Sequence, residues 1–280
     1  MHRTPRILTI AGSDSSAGAG IQADLKTAAM VGVYCSTAIT AVTVQNSLGV
    51  HNIMLVPENI IKQQITYILD DIGADIIKIG MLGDYKTIRL IAEILHRKKY
   101  KNIKIVLDPV MVAKGGKKLL FDEAIQALCQ DMLPLTYLIT PNIPEAEILA
   151  NHQIVTQDDV IIAAQKIKQL WAKNVLVKGG HFHDKQKSSN SENEIIDVFV
   201  SENDEIYKFS NKKINSKNSH GTGCTLATAI ASKLAYNESL YDAINFANKF
   251  VNLSIANAYE DIGSGHGPVK QCLYNENAAK

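Results

Sequence analysis

An α/β fold, with a mainly parallel central sheet and helices on both its faces, is what this 280-residue sequence predicts. Two observations predict it. Short apolar, β-branched runs alternate with longer runs of helical period, which is the signature of successive β-α-β units. Each short run also ends in glycine, asparagine or a small polar cluster, as strands do where they turn into the next helix.

Hydrophobic residues make up 46% of the chain and charged residues 20%, so a large core can be buried. No repeat and no interdomain linker is visible, and residues 1–280 read as one domain. A net charge of +1 speaks against a dedicated nucleic-acid or membrane surface. No stretch approaches the length of a membrane span, and the apolar run Ile7–Ala11 is too short for a secretory signal. The four cysteines, Cys35, Cys129, Cys224 and Cys272, form no C-x-x-C pair, which suggests a reducing compartment and a cytoplasmic protein.

In chain order, Arg6–Ala11 reads as a buried strand broken by 12–16, and a helix follows from Ile21 to Val31. Gly18-x-Gly20-x-x-Ala23 imitates a dinucleotide fingerprint, but no acidic residue stands in 37–45 to bind a ribose. Ser36–Val44 is a second strand, ending at Gln45. A helix runs from Pro57-Glu58 to Asp71, with proline at its first turn. Strand Asp75–Ile79 is followed by helix Tyr85–Lys98, whose basic end suits the helix dipole. Strand Ile103–Leu107 delivers Asp108. Strand Tyr137–Thr140, helices Glu145–Ala150 and Gln157–Lys173, and strand Val175–Lys178 continue the alternation. Residues 181–193 read as a polar loop in which His181, His183 and Asp184 are weak metal-ligand candidates. Glu194–Val200 and Glu205–Phe209 read as a hairpin at the sheet edge, and Leu240–Tyr259 as a long closing helix.

The chemistry concentrates in Asn218–Thr225. A Gly221-Thr222-Gly223 turn opens into an alanine-rich helix, so unpaired backbone N–H groups face any anion that the glycines admit. Cys224 stands in that first turn, where dipole and amides favour its thiolate. In a parallel sheet the strand ends converge on one ligand site, which gathers Gly12, Gln45, Gly80, Asp108, Asn142 and Lys178. Glu145, three residues after Asn142, can hold Mg²⁺ directly or through water. Lys178 can neutralise phosphate charge. The Walker pattern is absent.

Several ordered stretches together resemble the hydroxymethylpyrimidine/phosphomethylpyrimidine kinases: 11–27, 41–46, Lys78–Leu82, Leu107–Lys114, Thr140–Glu147, Val177–His181 and Ser219–Thr225. The resemblance spans about residues 6–267. It implies a ribokinase-like three-layer sandwich, a homodimer, and two ATP- and Mg²⁺-dependent phosphorylations in thiamine biosynthesis. The first acceptor would be the small molecule 4-amino-5-hydroxymethyl-2-methylpyrimidine, and the second its monophosphate. Carried over by position, Asp24, Gln45, Met81, Gly12 and Val110 would bind substrate. Lys178, Thr222 and Asn142 would bind ATP, and Asp108 and Glu145 the metal. Gly221 and Gly223 would form the oxyanion hole, with Cys224 as general base. Val44, Ser47 and Gly115 depart from the usual residues of that pattern, and so does the tail after Pro268. A pyridoxal kinase is the alternative within the fold. A cysteine hydrolase using His220 as base, or a non-catalytic binding protein, would be a different class of answer.

Overall fold

The computed structural model describes residues 3–111, 120–181 and 194–273. Residues 183–184 of the polar loop, and Lys114 and Gly115, lie outside them. Nine strands form one sheet, in the order β3-β2-β1-β4-β5-β6-β7-β8-β9. The strands are β1 (Arg6–Asp14), β2 (Tyr34–Asn46), β3 (Gly49–Leu55), β4 (Ile76–Ile79), β5 (Lys104–Leu107), β6 (Leu138–Ile139), β7 (Asn174–Val177), β8 (Glu194–Val200) and β9 (Ile206–Lys212). The six inner strands, β2 through β7 in that order, run parallel, and β3, β8 and β9 pair antiparallel at the edges.

The chain winds outward from β1 to β2, then returns to place β4 on the other side of β1. The carboxyl ends of β1 and β4 therefore flank the point where winding reverses, the usual place for a ligand crevice. Helices α2 (Glu58–Asp71), α3 (Tyr85–Leu95), α4 (Asp122–Ala127), α5 (Ile143–Ala150) and α6 (Gln157–Lys168) pack on one face of the sheet. On the other lie α1 (Gly20–Val31), α7 (Thr222–Ala235) and α8 (Leu240–Ala256). Side chains alternate along the strands to serve both: Ile77 and Ile79 face the first layer, and Ile76 the second.

Differences from the sequence reading have local causes. Strand β1 continues through Gly12 to Asp14 because a bulge between Ala11 and Ser13 preserves its pairing with β2. The antiparallel strand β3 is additional; it returns from β2 through Ser47-Leu48 as a half-exposed edge. Helix α3 stops at Leu95, three residues short of Lys98. Tyr100 turns inward there, buried, and donates its hydroxyl to Asp70 at 2.6 Å. Helix α6 stops at Lys168 rather than Lys173, and Trp171 beyond it has a left-handed φ of 76°. Helix α8 likewise ends at Ala256.

Candidate active site

One cavity of about 750 Å³ opens at the carboxyl ends of β1, β4, β5 and β7. Of the site residues expected from the sequence, Gly12, Gln45, Met81, Asp108, Val110, Asn142, Glu145, Lys178, Gly221, Thr222, Gly223 and Cys224 line it, and Asp24 and Gly80 do not. The apolar wall near β1 is set by the bulge: Met81 Sδ stands 3.2 Å from where a Cβ on Gly12 would be.

The anion loop is shaped by two close approaches. Gly221 caps α7 with a φ of 86°, and a Cβ there would overlap the carbonyl oxygen of Gly18. A Cβ on Gly223 would lie 3.1 Å from Asp108 Oδ2 and 3.3 Å from Lys178 Nζ. Small residues thus leave the first turn of α7 open to an anion that also meets the lysine.

Lys178 donates to Asp108 Oδ1 at 2.7 Å, and Asp108 is buried. Burial would lower the Lys178 pKa, but the charges of Asp108 and Glu145 outweigh it and raise it. Glu145 forms a capping box with Asn142: its Oε2 accepts from Asn142 N at 2.9 Å, and Asn142 Oδ1 accepts from Glu145 N at 3.0 Å. Burial pushes the Glu145 carboxyl up to about 7; Lys178 opposes the rise and Asp108 adds to it. Each Glu145 oxygen accepts one backbone N–H and keeps a second lone pair, while Asp108 Oδ2 faces Gly223. Two buried carboxylates beside a glycine-opened helix start suit Mg²⁺, which takes one or two carboxylates and keeps other oxygens for the rest.

Cys224 corrects one expectation. Its thiol is not poised as a thiolate: burial pushes it up to about 11, and Asp24 and Asp108 add to that. Lys78 and the Gly20 amide pull the other way without prevailing. The helix dipole loses here to desolvation.

Asp24 sits below the cavity, with no exposure. Its carboxylate pairs with Lys78 Nζ at 2.8 and 2.9 Å, and accepts hydroxyls from Thr228 at 2.7 Å and from Thr9. Thr228 is one helical turn beyond Cys224 on α7. The structure therefore places Asp24 beneath the thiol, and the expected substrate contact is not made by a residue open to the cavity.

Two groups, Lys78 and Asp197, are not singled out in the sequence, and His220 is considered there only as the base of a cysteine hydrolase. Lys78 is the buried partner of Asp24, and its signal is a lysine inside the wholly buried strand Ile76–Ile79. Asp197 lines the cavity and accepts from Gly179 N at 2.7 Å; burial lifts its pKa to about 6. His220 meets Asp14 Oδ2 at 2.9 Å and the Gln45 amide at 3.1 Å. Burial would raise the Asp14 pKa, but hydrogen bonds from His220, Ser16 and the Ala19 and Ser16 amides hold it at about 2.

The profile of a family described as Phosphomethylpyrimidine kinase matches residues 14–270. The chain belongs to that family. It is 42% identical over 276 residues to the hydroxymethylpyrimidine/phosphomethylpyrimidine kinase of Haemophilus influenzae, covering 98% of this chain and 99% of that one. A crystal structure of phosphomethylpyrimidine kinase from Clostridium difficile superposes with a TM-score of 0.76 at 40% identity, over 89% of this chain and 99% of that one. An ADP complex of Bacillus subtilis pyridoxal kinase superposes with a TM-score of 0.85 at 36% identity, over 96% and 98%. The architecture of this phosphomethylpyrimidine kinase family member is the ribokinase-like sandwich, and its matched region contains the cavity lining except Ala11, Gly12 and Ser13. Among the described residues, no helix is long and apolar enough to cross a membrane.

Proposed function

We propose that this chain transfers the γ-phosphoryl group of ATP to the hydroxymethyl oxygen of 4-amino-5-hydroxymethyl-2-methylpyrimidine, and then to the phosphate of the resulting monophosphate, in thiamine biosynthesis. One observation carries the reading: an apolar pocket holding an amide, at Met81 and Gln45, shares its cavity with an anion-binding turn, a lysine and two carboxylates. A planar ring that is both donor and acceptor fits the first half, and a polyphosphate the second.

The residues divide the work. The Gly221–Gly223 turn and Lys178 hold the transferring phosphoryl group, whose transfer needs positioning and charge neutralisation more than covalent help. Thr222 and Asn142 flank the nucleotide phosphates. Asp108 and Glu145 would hold Mg²⁺, which supplies charge neutralisation at the phosphates. Gly12, Met81 and Val110 shape the ring pocket. Cys224, as thiolate, accepts the proton of the first acceptor's hydroxyl. Asp24 supports this site from below through Lys78 and Thr228.

We also read the chain as one domain, since one sheet carries every described strand, and as a cytoplasmic homodimer. The unpaired state of all four cysteines supports a reducing compartment. The exposed apolar side chains Val44, Leu48 and Met54, at the β2–β3 edge, support a partner surface. The deciding experiment is coupled ADP release with the hydroxymethylpyrimidine, its monophosphate and pyridoxal as separate acceptors. Turnover of both pyrimidines supports the reading; pyridoxal turnover that exceeds theirs replaces it with the B6 kinase.

A further inference from the structure

His220 stands outside the roles given above, yet it is buried and touches the Gln45 amide, which lines the cavity. The two ends of the Gln45 amide meet His220 Nε2 at 3.1 Å (the Nε2 end) and Thr43 Oγ1 at 3.3 Å (the Oε1 end). A half-turn about the last side-chain bond exchanges those ends and moves nothing else. Counting protons decides between the two settings.

Asp14 is held ionised, and its Oδ2 accepts from the Gly18 and Ala19 amides at 3.1 and 2.8 Å. Its third contact, His220 Nε2 at 2.9 Å, must therefore also donate. Whether the imidazole is neutral or charged, Nε2 then carries a hydrogen and has no lone pair for Gln45. Thr43 has a single hydroxyl hydrogen, and the shorter of its two contacts spends it on the Ser13 carbonyl at 2.9 Å. Toward Gln45 it can only accept. Both neighbours thus ask for the same setting: amide oxygen against His220, amide NH₂ against Thr43. The opposite setting places donor against donor at one end and lone pair against lone pair at the other.

We propose that His220, held by Asp14 and assisted by Thr43, fixes the direction of the Gln45 amide and with it the one way round in which a pyrimidine can bind. The proposal rests on the pyrimidine kinase reading and deepens it. With the oxygen on the His220 side, a ligand must place its donor there and its acceptor toward Thr43. In the aminopyrimidine the exocyclic amine lies between the ring nitrogen and the hydroxymethyl carbon. Amine toward His220 therefore carries the hydroxymethyl group toward the loop that begins at Gly221 and bears Cys224. The reversed amide would turn the ring over and carry the reacting oxygen away from that loop. His220 is a positioning residue: it acts through Gln45, and its place next to Gly221 ties ring polarity to the reacting end.

Two measurements test this. In wild type, the ¹⁵N spectrum of His220 is expected to show a protonated Nε2 at neutral pH; an Nδ1–H tautomer with bare Nε2 overturns the amide assignment. That measurement needs no substrate, so it stands even if the pyrimidine proves not to be the acceptor. In steady-state kinetics with the hydroxymethylpyrimidine, His220→Leu is expected to lower kcat roughly tenfold, the scale of one mispaired buried polar group, without raising KM, because the ring now also binds reversed. His220→Gln, whose amide nitrogen can donate to both Asp14 and Gln45, is expected to recover most of the loss. A rise in KM alone, or equal losses in the two variants, means His220 merely shapes the pocket and sinks the proposal.

Discussion

Lys78 and Asp24 form an ion pair in which neither side chain has any solvent exposure, and Asp24 also accepts from Thr228, one helical turn beyond Cys224. Burial by itself would lower the lysine's pKa, but the Asp24 charge, with those of Cys224 and Asp108, raises it. The pair is thus fixed beneath the cavity near Cys224. Cys224 feels it from both signs, since Lys78 lowers its pKa and Asp24 raises it.

Breaking that pair strands a buried charge. Lys78→Met or Asp24→Asn alone is expected to cost about 3–5 kcal/mol of stability, whereas replacing both by apolar residues is expected to cost much less. Urea titration of the three variants reads this directly. Equal costs for the single and double changes would show that the pair contributes through packing and not through charge.

The thiol at about 11 makes two forecasts for Cys224. Only thiolate can take a proton, so kcat for the hydroxymethyl acceptor is expected to climb with pH between 7 and 9 in wild type and to be flat in Cys224→Ala. The loss at pH 7 is expected to be roughly 10²–10⁴-fold. The second acceptor is a phosphate already ionised at neutral pH, so Cys224→Ala is expected to spare that step by comparison. Equal losses for both acceptors would remove Cys224 as a base.

Glu145 sets a pH dependence of stability. Its folded pKa of about 7 lies above its ordinary 4.5, so the folded state binds the proton more tightly than the unfolded chain. That contribution is complete below about 4.5 and is lost as pH rises through 7. Glu145→Gln is expected to flatten the decline in unfolding free energy between pH 5 and 8, and to raise the Mg²⁺ concentration needed for half-maximal rate. An unchanged slope and an unchanged Mg²⁺ titration would place its charge elsewhere.

Gly223→Ala tests the anion turn without straining the backbone, because no left-handed φ is required there. The added methyl would crowd Asp108 Oδ2 and Lys178 Nζ, where a phosphoryl group would lie. The expected result is a rise in KM for ATP of tenfold or more on the scale of one lost buried contact, with little change in melting temperature. A normal KM would mean that the phosphates bind off this turn.

The parts of the site that lie on strand ends and helix starts are legible in the sequence, because glycine, asparagine and proline mark those places by their backbone chemistry. Asn142 and Glu145 show it: their spacing is that of a capping box, and a capping box is what forms. Asp24 is less legible. Sequence order puts it on α1 near the site, but only packing tells that it faces Lys78 on the adjoining strand β4 rather than the cavity. His220 depends on a contact 206 residues away, with Asp14, which no local pattern announces. Strand β3 escapes for another reason. An edge strand with His51 and Asn52 exposed lacks the continuous apolar run by which the inner strands declare themselves.

The segment 263–271 ties distant pieces together. His266 N donates to the Ser47 carbonyl, His220 and Val269 exchange backbone hydrogen bonds with their neighbours across the bridge to Pro268, and Gln271 Nε2 reaches Thr225 Oγ1. The β2–β3 turn, the anion loop and the first turn of α7 are thereby laced by one ribbon, and beneath it Gly221 rests on the Gly18 carbonyl. The loops are consequently not interchangeable parts. A chimaera that imports 218–224 from a pyridoxal kinase would bring a loop cut for another ribbon and another floor. Retargeting this scaffold to a new acceptor calls for exchanging 14–20, 45–48, 218–225 and 263–271 as a set, or for leaving all four in place and recutting only the ring pocket.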